Sequence, residues 1–193
     1  MGFNANATII PGKGTVLVAD PDKAPPVDYL TLDPANASSF ATAAPGWDVL
    51  GHTSRENTVG MTKEGGEASQ SGSWWDEALT SNYAATNWGV NVNSLQVDGL
   101  TLGLAFGGGT LDATKGSYAV KDIRPTAKAL YILIIGGNSR MGIYIPNTTI
   151  SIGDAPELAI DAFFEISLSA AILNSPTTGN RFQFFHPALK AGA

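Results

Sequence analysis

The chain has 193 residues, 44% of them hydrophobic, and a formal net charge of −6. That length and apolar content suit one domain with a packed core, or one domain with long arms. The acidic balance, with its scattered basic residues, excludes a protein that reads DNA sequence through a basic face, and the absence of cysteine excludes a disulfide framework and thiol chemistry.

Charged residues make up only 15% of the chain, against about 25% in ordinary soluble domains. A surface poor in charge and rich in small polar side chains tolerates large, permanent protein contacts. The 22 glycines and 11 prolines favour turns and strands over helices. No basic–apolar–small-residue signal opens the chain. The longest apolar run, Ala129 to Ile135, is too short to span a bilayer, so synthesis in the cytosol without membrane binding is expected. In a chain without a secretion signal, the Asn-x-Ser/Thr triplets at Asn6, Asn36 and Asn147 are chance occurrences.

In chain order, residues 1–13 read as an extended N-terminal arm. Thr15 to Ala19 is a short strand, and Asp20 to Pro26 a Pro/Asp turn cluster. Residues 27–45 form a long loop, of a length usually kept for a purpose. The stretch Gly46 to Gln96 holds all four tryptophans. Its apolar flanks, Trp47 to Thr53 and Trp74 to about Leu79, are expected to pair. They would carry between them a polar, glycine-containing projecting loop at 54–67. That insert lacks the apolar surface to fold onto its own core, so it is the candidate for reaching another molecule, through Ser54, Arg55, Glu56, Asn57, Lys63, Glu64 and Glu67.

Thr86 to Ser94 alternates as a half-buried strand does. Asp98 is placed to cap a helix over Gly99 to Phe106, which Gly107 to Gly109 would end; it is the one convincing helix. Lys128 to Ile135, Met141 to Ile145 and Thr148 to Ile152 read as strands, with Pro146 marking an edge or a bulge. Ile160, Ala162, Phe164, Ile166, Leu168, Ala170 and Ile172 hold every even position. This predicts one strand of roughly 40 Å at about 3.3 Å per residue, although the alanines also suit a helix. Residues 174–193 supply a turn, a closing strand from Arg181 to His186 and a tail. The fold class is mainly β: an antiparallel sandwich or barrel with one short flanking helix, a long loop and terminal arms.

Signals for chemistry are few. Asp48, His52 and Glu56 at four-residue spacing would face one way on a straight strand and could share a metal or a proton. A polar strand face running into a solvated loop is the simpler reading. His186 is an acid or base in principle, but its setting after Phe184-Phe185 suits a packed terminal residue. Gly12-Lys13-Gly14-Thr15 and Gly107-Gly108-Gly109-Thr110 lack the further residues of a phosphate-binding loop and read as turns. Asp76-Glu77 and Glu64/Glu67, with Trp74-Trp75 beside them, leave open a carbohydrate-binding or sugar-hydrolysing site. The alternative is one tryptophan in the core and one at a subunit interface. No nucleophile elbow is present, and no enzyme, cofactor or metal is expected.

The segments GWDVLGHTSRENTVGMTKEGGE, SGSWWDEAL and NWGVNVNSLQVDGLTLGLAFG, and later ALYILIIGGNSRMGIYIPNTTISIGD and RFQFFHP, resemble the major tail (tail tube) proteins of long-tailed, non-contractile bacteriophages, especially those infecting actinobacteria. The resemblance covers about residues 10–190. It implies a β-sandwich with a flanking helix whose copies form hexameric rings around a shared β-barrel wall. The rings would stack through arms and a long hairpin loop into a hollow tube for DNA. It also implies contacts with a tape measure protein, a tail terminator and baseplate or distal tail proteins, a place in the virion after synthesis in the host cytoplasm, and a net negative lumen. Some members carry a C-terminal immunoglobulin-like domain, which residues 1–193 do not hold. The rivals are another virion part of the same fold, a tail terminator or contractile inner tube, and a carbohydrate-binding β-sandwich module.

Overall fold

A computed structural model describes residues 7–76, 79–137 and 139–190. In chain order the elements are β1 (Lys13–Ala19), α1 (Ala37–Ala43), β2 (Asp48–Val49), β3 (Gly60–Gly65), β4 (Ala68–Ser71), β5 (Thr80–Tyr83), β6 (Thr86–Ser94), α2 (Gly99–Phe106), β7 (Gly107–Asp112), β8 (Ser117–Ile123), β9 (Thr126–Gly136), β10 (Ser139–Ile152), β11 (Ile166–Ile172) and β12 (Gln183–Phe185). A 3-10 turn, Pro187–Leu189, follows. The protein is mainly β with antiparallel sheets, as its composition and alternation predict.

One sheet dominates, in the order β2-β1-β9-β10-β11-β6-β3, with β12 also beside β10. β10 is its spine. Its first half pairs with β12 (Ile143 opposite Phe184) and its second half with β11 (Ile150 opposite Ala170). Between them the β9–β10 register slips, from Ile145 to Thr148. Pro146 sits in that slip, where its missing N–H breaks no ladder bond. The bulge changes the parity of the inward positions: Ile143 and Ile145 before it, and Ile150 after it, belong to the same core. The two ends of the sheet therefore turn their apolar faces toward one another, as the leaves of a sandwich do.

That first core joins Val16 and Val18 of β1, Leu130 and Ile132 of β9, Val90 and Val92 of β6, and Ile166, Leu168, Ala170 and Ile172 of β11. Leu104 and Ala105 of α2 close it. The intervening positions face the other way. Leu17 and Ala19, and Ala129, Tyr131 and Leu133, pack under Tyr29, Leu32, Ala43, Ala44 and Trp47. So β1 and β9 are buried on both faces, which explains their unbroken apolar run. Each fully buried aliphatic side chain contributes about 1.5–3 kcal/mol. The cover over the second face is fastened by Trp47, whose Nε1 donates to the Ala24 carbonyl at 3.0 Å, and by Tyr144, whose hydroxyl donates to the Lys23 carbonyl at 2.6 Å. Burial pushes the Tyr131 and Tyr144 hydroxyls above the ordinary tyrosine range.

α2 lies where the sequence places it. The Asp98 carboxylate accepts from the Thr101 N–H at 2.8 Å, and the helix ends on Gly107 in the left-handed region (φ +62°).

Several expectations are corrected. α1 lies inside the 27–45 stretch, so there is a second helix; Asn36 caps it by accepting from the Ser39 N–H. Among the described residues, Trp47 to Thr53 does not pair with Trp74 to Leu79. Asp48 and Val49 pair with Val18 and Leu17 instead, and Thr53 bridges to Ser94. Gly12 to Thr15 runs into β1 rather than turning, and Gly107 to Thr110 leads from the helix cap into β7, which pairs with β8. Met141 to Ile145 and Thr148 to Ile152 are one strand across the bulge. The closing strand is only Gln183–Phe185. The predicted 160–172 strand begins at Ile166. Ile152 opposite Leu168 and Ser94 opposite Ile166 are the last pairs, so among the described residues no strand lies alongside the earlier positions.

Candidate functional site: an assembly surface

The projecting element is the ribbon β4–β5. Ala68 stands opposite Tyr83 and Ser71 opposite Thr80, and all eight strand residues are exposed. At its tip the Ser73 N–H donates to the Asp76 carbonyl at 2.7 Å, while Ser73 Oγ accepts from the Asp76 N–H at 3.1 Å. This turn presents Trp74 and Trp75, both fully exposed, with Leu79 and Tyr83 exposed behind them. At the base Gly65 and Gly66 have φ of +74° and +77°. A Cβ on Gly65 would lie 2.3 Å from the Ala85 carbonyl oxygen, so only glycine lets the chain leave β3 here. A lone two-stranded ribbon with no core is marginal in water. Each tryptophan carries about 200 Å² of surface, on the order of 5 kcal/mol of burial free energy before ordering costs.

The sequence-predicted site residues divide into two groups. Ser54 is buried. Its Oγ donates to one Glu165 carboxylate oxygen at 2.6 Å and accepts from the Asn57 N–H at 3.0 Å. Asn57 Nδ2 donates to the other Glu165 oxygen at 2.9 Å. Ser54, Asn57 and Glu165 thus form a clamp between two loops. Arg55 and Glu56 are exposed beside it. Lys63 and Glu64 are exposed on β3, which among the described residues pairs only with β6, and Glu67 stands at the ribbon base. The 54–67 insert is therefore a short loop followed by an edge strand, and the outward projection begins just after it. Sequence reasoning missed Glu165 as the clamp's acceptor. The paired glycines Gly65-Gly66 were the available sign of the ribbon's start.

Asp48, His52 and Glu56 are all exposed, on β2, just after it and in the 54–59 loop. No group of three possible metal ligands forms among the described residues. His186 caps the 3-10 turn: its Nδ1 accepts from the Ala188 N–H at 3.2 Å. Neither tryptophan of the pair enters the core, against the expectation that one would. Glu77, a candidate carboxylate, lies outside the described residues, and no helix among them is long and apolar enough to cross a membrane.

A doubly covered β body that holds out an uncovered aromatic ribbon is the construction of a structural protein that assembles with copies of itself. The family model described as phage tail tube protein matches residues 1–193, and the chain belongs to that family. It is 32% identical over 164 residues, 83% of this chain and 82% of the relative, to the protein named "Major tail protein Gp23" of Mycobacterium phage D29. The protein of the same name from Mycobacterium phage L5 matches over the same length at the same identity. This is a structural virion protein of the phage tail, from a family that self-assembles into the tail tube.

Proposed function

We propose that the chain closes into hexameric rings that stack into a hollow tube, and that phage DNA passes through this tube to the host. The observation that carries the reading is the ribbon β4–β5: two exposed tryptophans on a hydrogen-bonded turn, on strands with no core beneath them. Such a ribbon becomes stable by lying against another copy. We assign the stacking contact to it, together with Arg55, Glu56, Lys63, Glu64 and Glu67 along the segment from which it rises; Ser54 and Asn57 hold that segment to the body through Glu165. During assembly the tube would meet a tape measure protein inside, a terminator at one end and baseplate or distal tail proteins at the other. The net charge of −6 suits a conduit: an acidic wall does not hold phosphates, whereas a basic one stalls them.

Replacing residues 69–82 by a two-residue turn tests this. Folded, soluble subunits that form no tubes by negative-stain microscopy are expected; tubes of normal length would overturn the assignment of the stacking contact to the ribbon. The same tryptophans also suit sugar stacking. Quenching of Trp fluorescence by glycans, retained in assembled particles, would favour that second reading.

A further inference from the structure

Two more exposed apolar patches stand apart from the ribbon, and their charges differ. The strap joining β10 to β11, residues 153–165, carries Asp154, Glu157, Asp161 and Glu165 and no base. Leu158, Ile160 and Phe163 on it are 88%, 106% and 80% exposed. Both ends are fixed. The Gly153 N–H donates to the Ser167 carbonyl at 2.9 Å, and Glu165 sits in the clamp with Ser54 and Asn57. Between these anchors, no hydrogen bond or ion pair among the described residues holds 154–164. A strap fastened at its ends, with large apolar side chains in water, is a surface made to be covered.

The second patch is the hairpin β7–β8, where Leu111, Val120 and Ile123 are exposed. Lys115, Lys121 and Arg124 there outnumber Asp112 and Asp122. The two acids pair with Lys115 at 3.5 Å and Arg124 at 3.3 Å. Both pairs are solvent-exposed and weak, so the bases can turn to a more acidic surface. The ribbon offers no such match: residues 66–84 contain Glu67, Asp76 and Glu77 and no base, and like charges across an interface are unfavourable.

We propose that the strap of one subunit docks on the β7–β8 hairpin of a second copy of this chain. Leu158, Ile160 and Phe163 cover Leu111, Val120 and Ile123, while Glu157 and Asp161 face Lys115, Lys121 and Arg124. The contact is heterologous, two different patches of one chain meeting, so it repeats from subunit to subunit. It rests on the tube-forming reading above and is independent of the ribbon.

The test is a charge exchange. Glu157→Lys with Asp161→Lys, and separately Lys115→Glu, Lys121→Glu and Arg124→Glu, should leave folded protein by circular dichroism but abolish tubes. Combining all five should restore at least half of the wild-type tube yield. Because the chain has no cysteine, a second measurement is direct. Leu158→Cys with Val120→Cys should give a ladder of covalent multimers when tubes are oxidised, and Leu158→Cys with Trp75→Cys should not. Wild-type tubes indifferent to the exchanges, a combined variant no better than either half, or a ladder only from the Trp75 pair would overturn the contact alone. Absence of tubes from the wild-type chain would overturn the tube reading and the contact with it.

Discussion

The β1–β9–β10 body and the β4–β5 ribbon are both antiparallel and made by the same backbone chemistry, yet they are built for opposite ends. In the body every side chain from Val16 to Ala19 is buried, because both faces of the sheet are covered. In the ribbon no strand residue is buried. Backbone pairing alone does not make a strand stable; covered apolar surface does. The body holds enough to stand by itself, and the ribbon carries its apolar surface outward, where a neighbour supplies the cover.

The largest expected effect breaks this comparison at both ends. Leu17, fully buried beneath the 20–50 cover, should lose about 2–5 kcal/mol of folding stability when changed to Ala. Trp74→Ala with Trp75→Ala should leave the melting temperature of the subunit unmoved and prevent tube formation. Thermal melts and negative-stain images of the two variants separate the effects. A destabilised subunit from the tryptophan pair would show that the ribbon packs on its own body.

Next comes the joint between the two regions. Gly65→Ala forces a Cβ toward the Ala85 carbonyl in a left-handed backbone. The strain should redirect the ribbon more than it harms the body. Assembly should fall sharply while the core melt shifts by about 1–2 kcal/mol. Normal assembly by this variant would show that the ribbon's direction does not matter.

A smaller effect sits at the clamp. Ser54→Ala removes the short bond to Glu165 and the acceptor for the Asn57 N–H. Folding stability should drop by about 1–3 kcal/mol. Hydrogen exchange should rise at residues near 54–57 and around Glu165 before it rises in β9. Uniform exchange across the body would argue that the clamp fastens nothing.

The body was largely legible in the sequence because its signals are local. The alternation of β6, the Asp98 cap, the glycine after Phe106 and the proline inside β10 each act within a few residues. The even positions of β11 were legible too, from Ile166 onward. The same pattern misled at Ile160, Ala162 and Phe164, because alternation reports which way side chains would point. It does not report whether another backbone lies alongside. Partner choice was the other failure: Asp48–Val49 joins β1 across about thirty residues, and nothing local encodes that. α1 was hidden by its length, since a seven-residue helix is too short to show a helical repeat and only Asn36 announces it. Of the candidate site, the polar insert 54–67 ends where the β4–β5 ribbon begins. Its outline was wrong because β3 gains its apolar support from Val59 and Met61 packing on the first core.

The smallest effect concerns the cover over the second face. Asp28 accepts from the Thr31 hydroxyl at 2.8 Å and from the Leu30 N–H at 3.0 Å. The Thr31 bond, then the Leu30 one, holds its carboxyl below the ordinary value of 3.8. A carboxyl depressed in the folded state adds stability above its unfolded value and loses that stability as pH falls through the folded one. The window therefore opens just below pH 4. There the 28–31 turn, which positions Tyr29 and Leu32 over the sheet, should loosen slightly. The wild-type melting temperature should fall more between pH 5 and pH 3 than that of Asp28→Asn, which cannot gain the proton. Because Asp28 is half-buried and its hydrogen bonds stay within one short turn, the difference should be small beside that of Leu17→Ala. Identical pH profiles for the two proteins would mean that the turn contributes nothing to holding the cover in place.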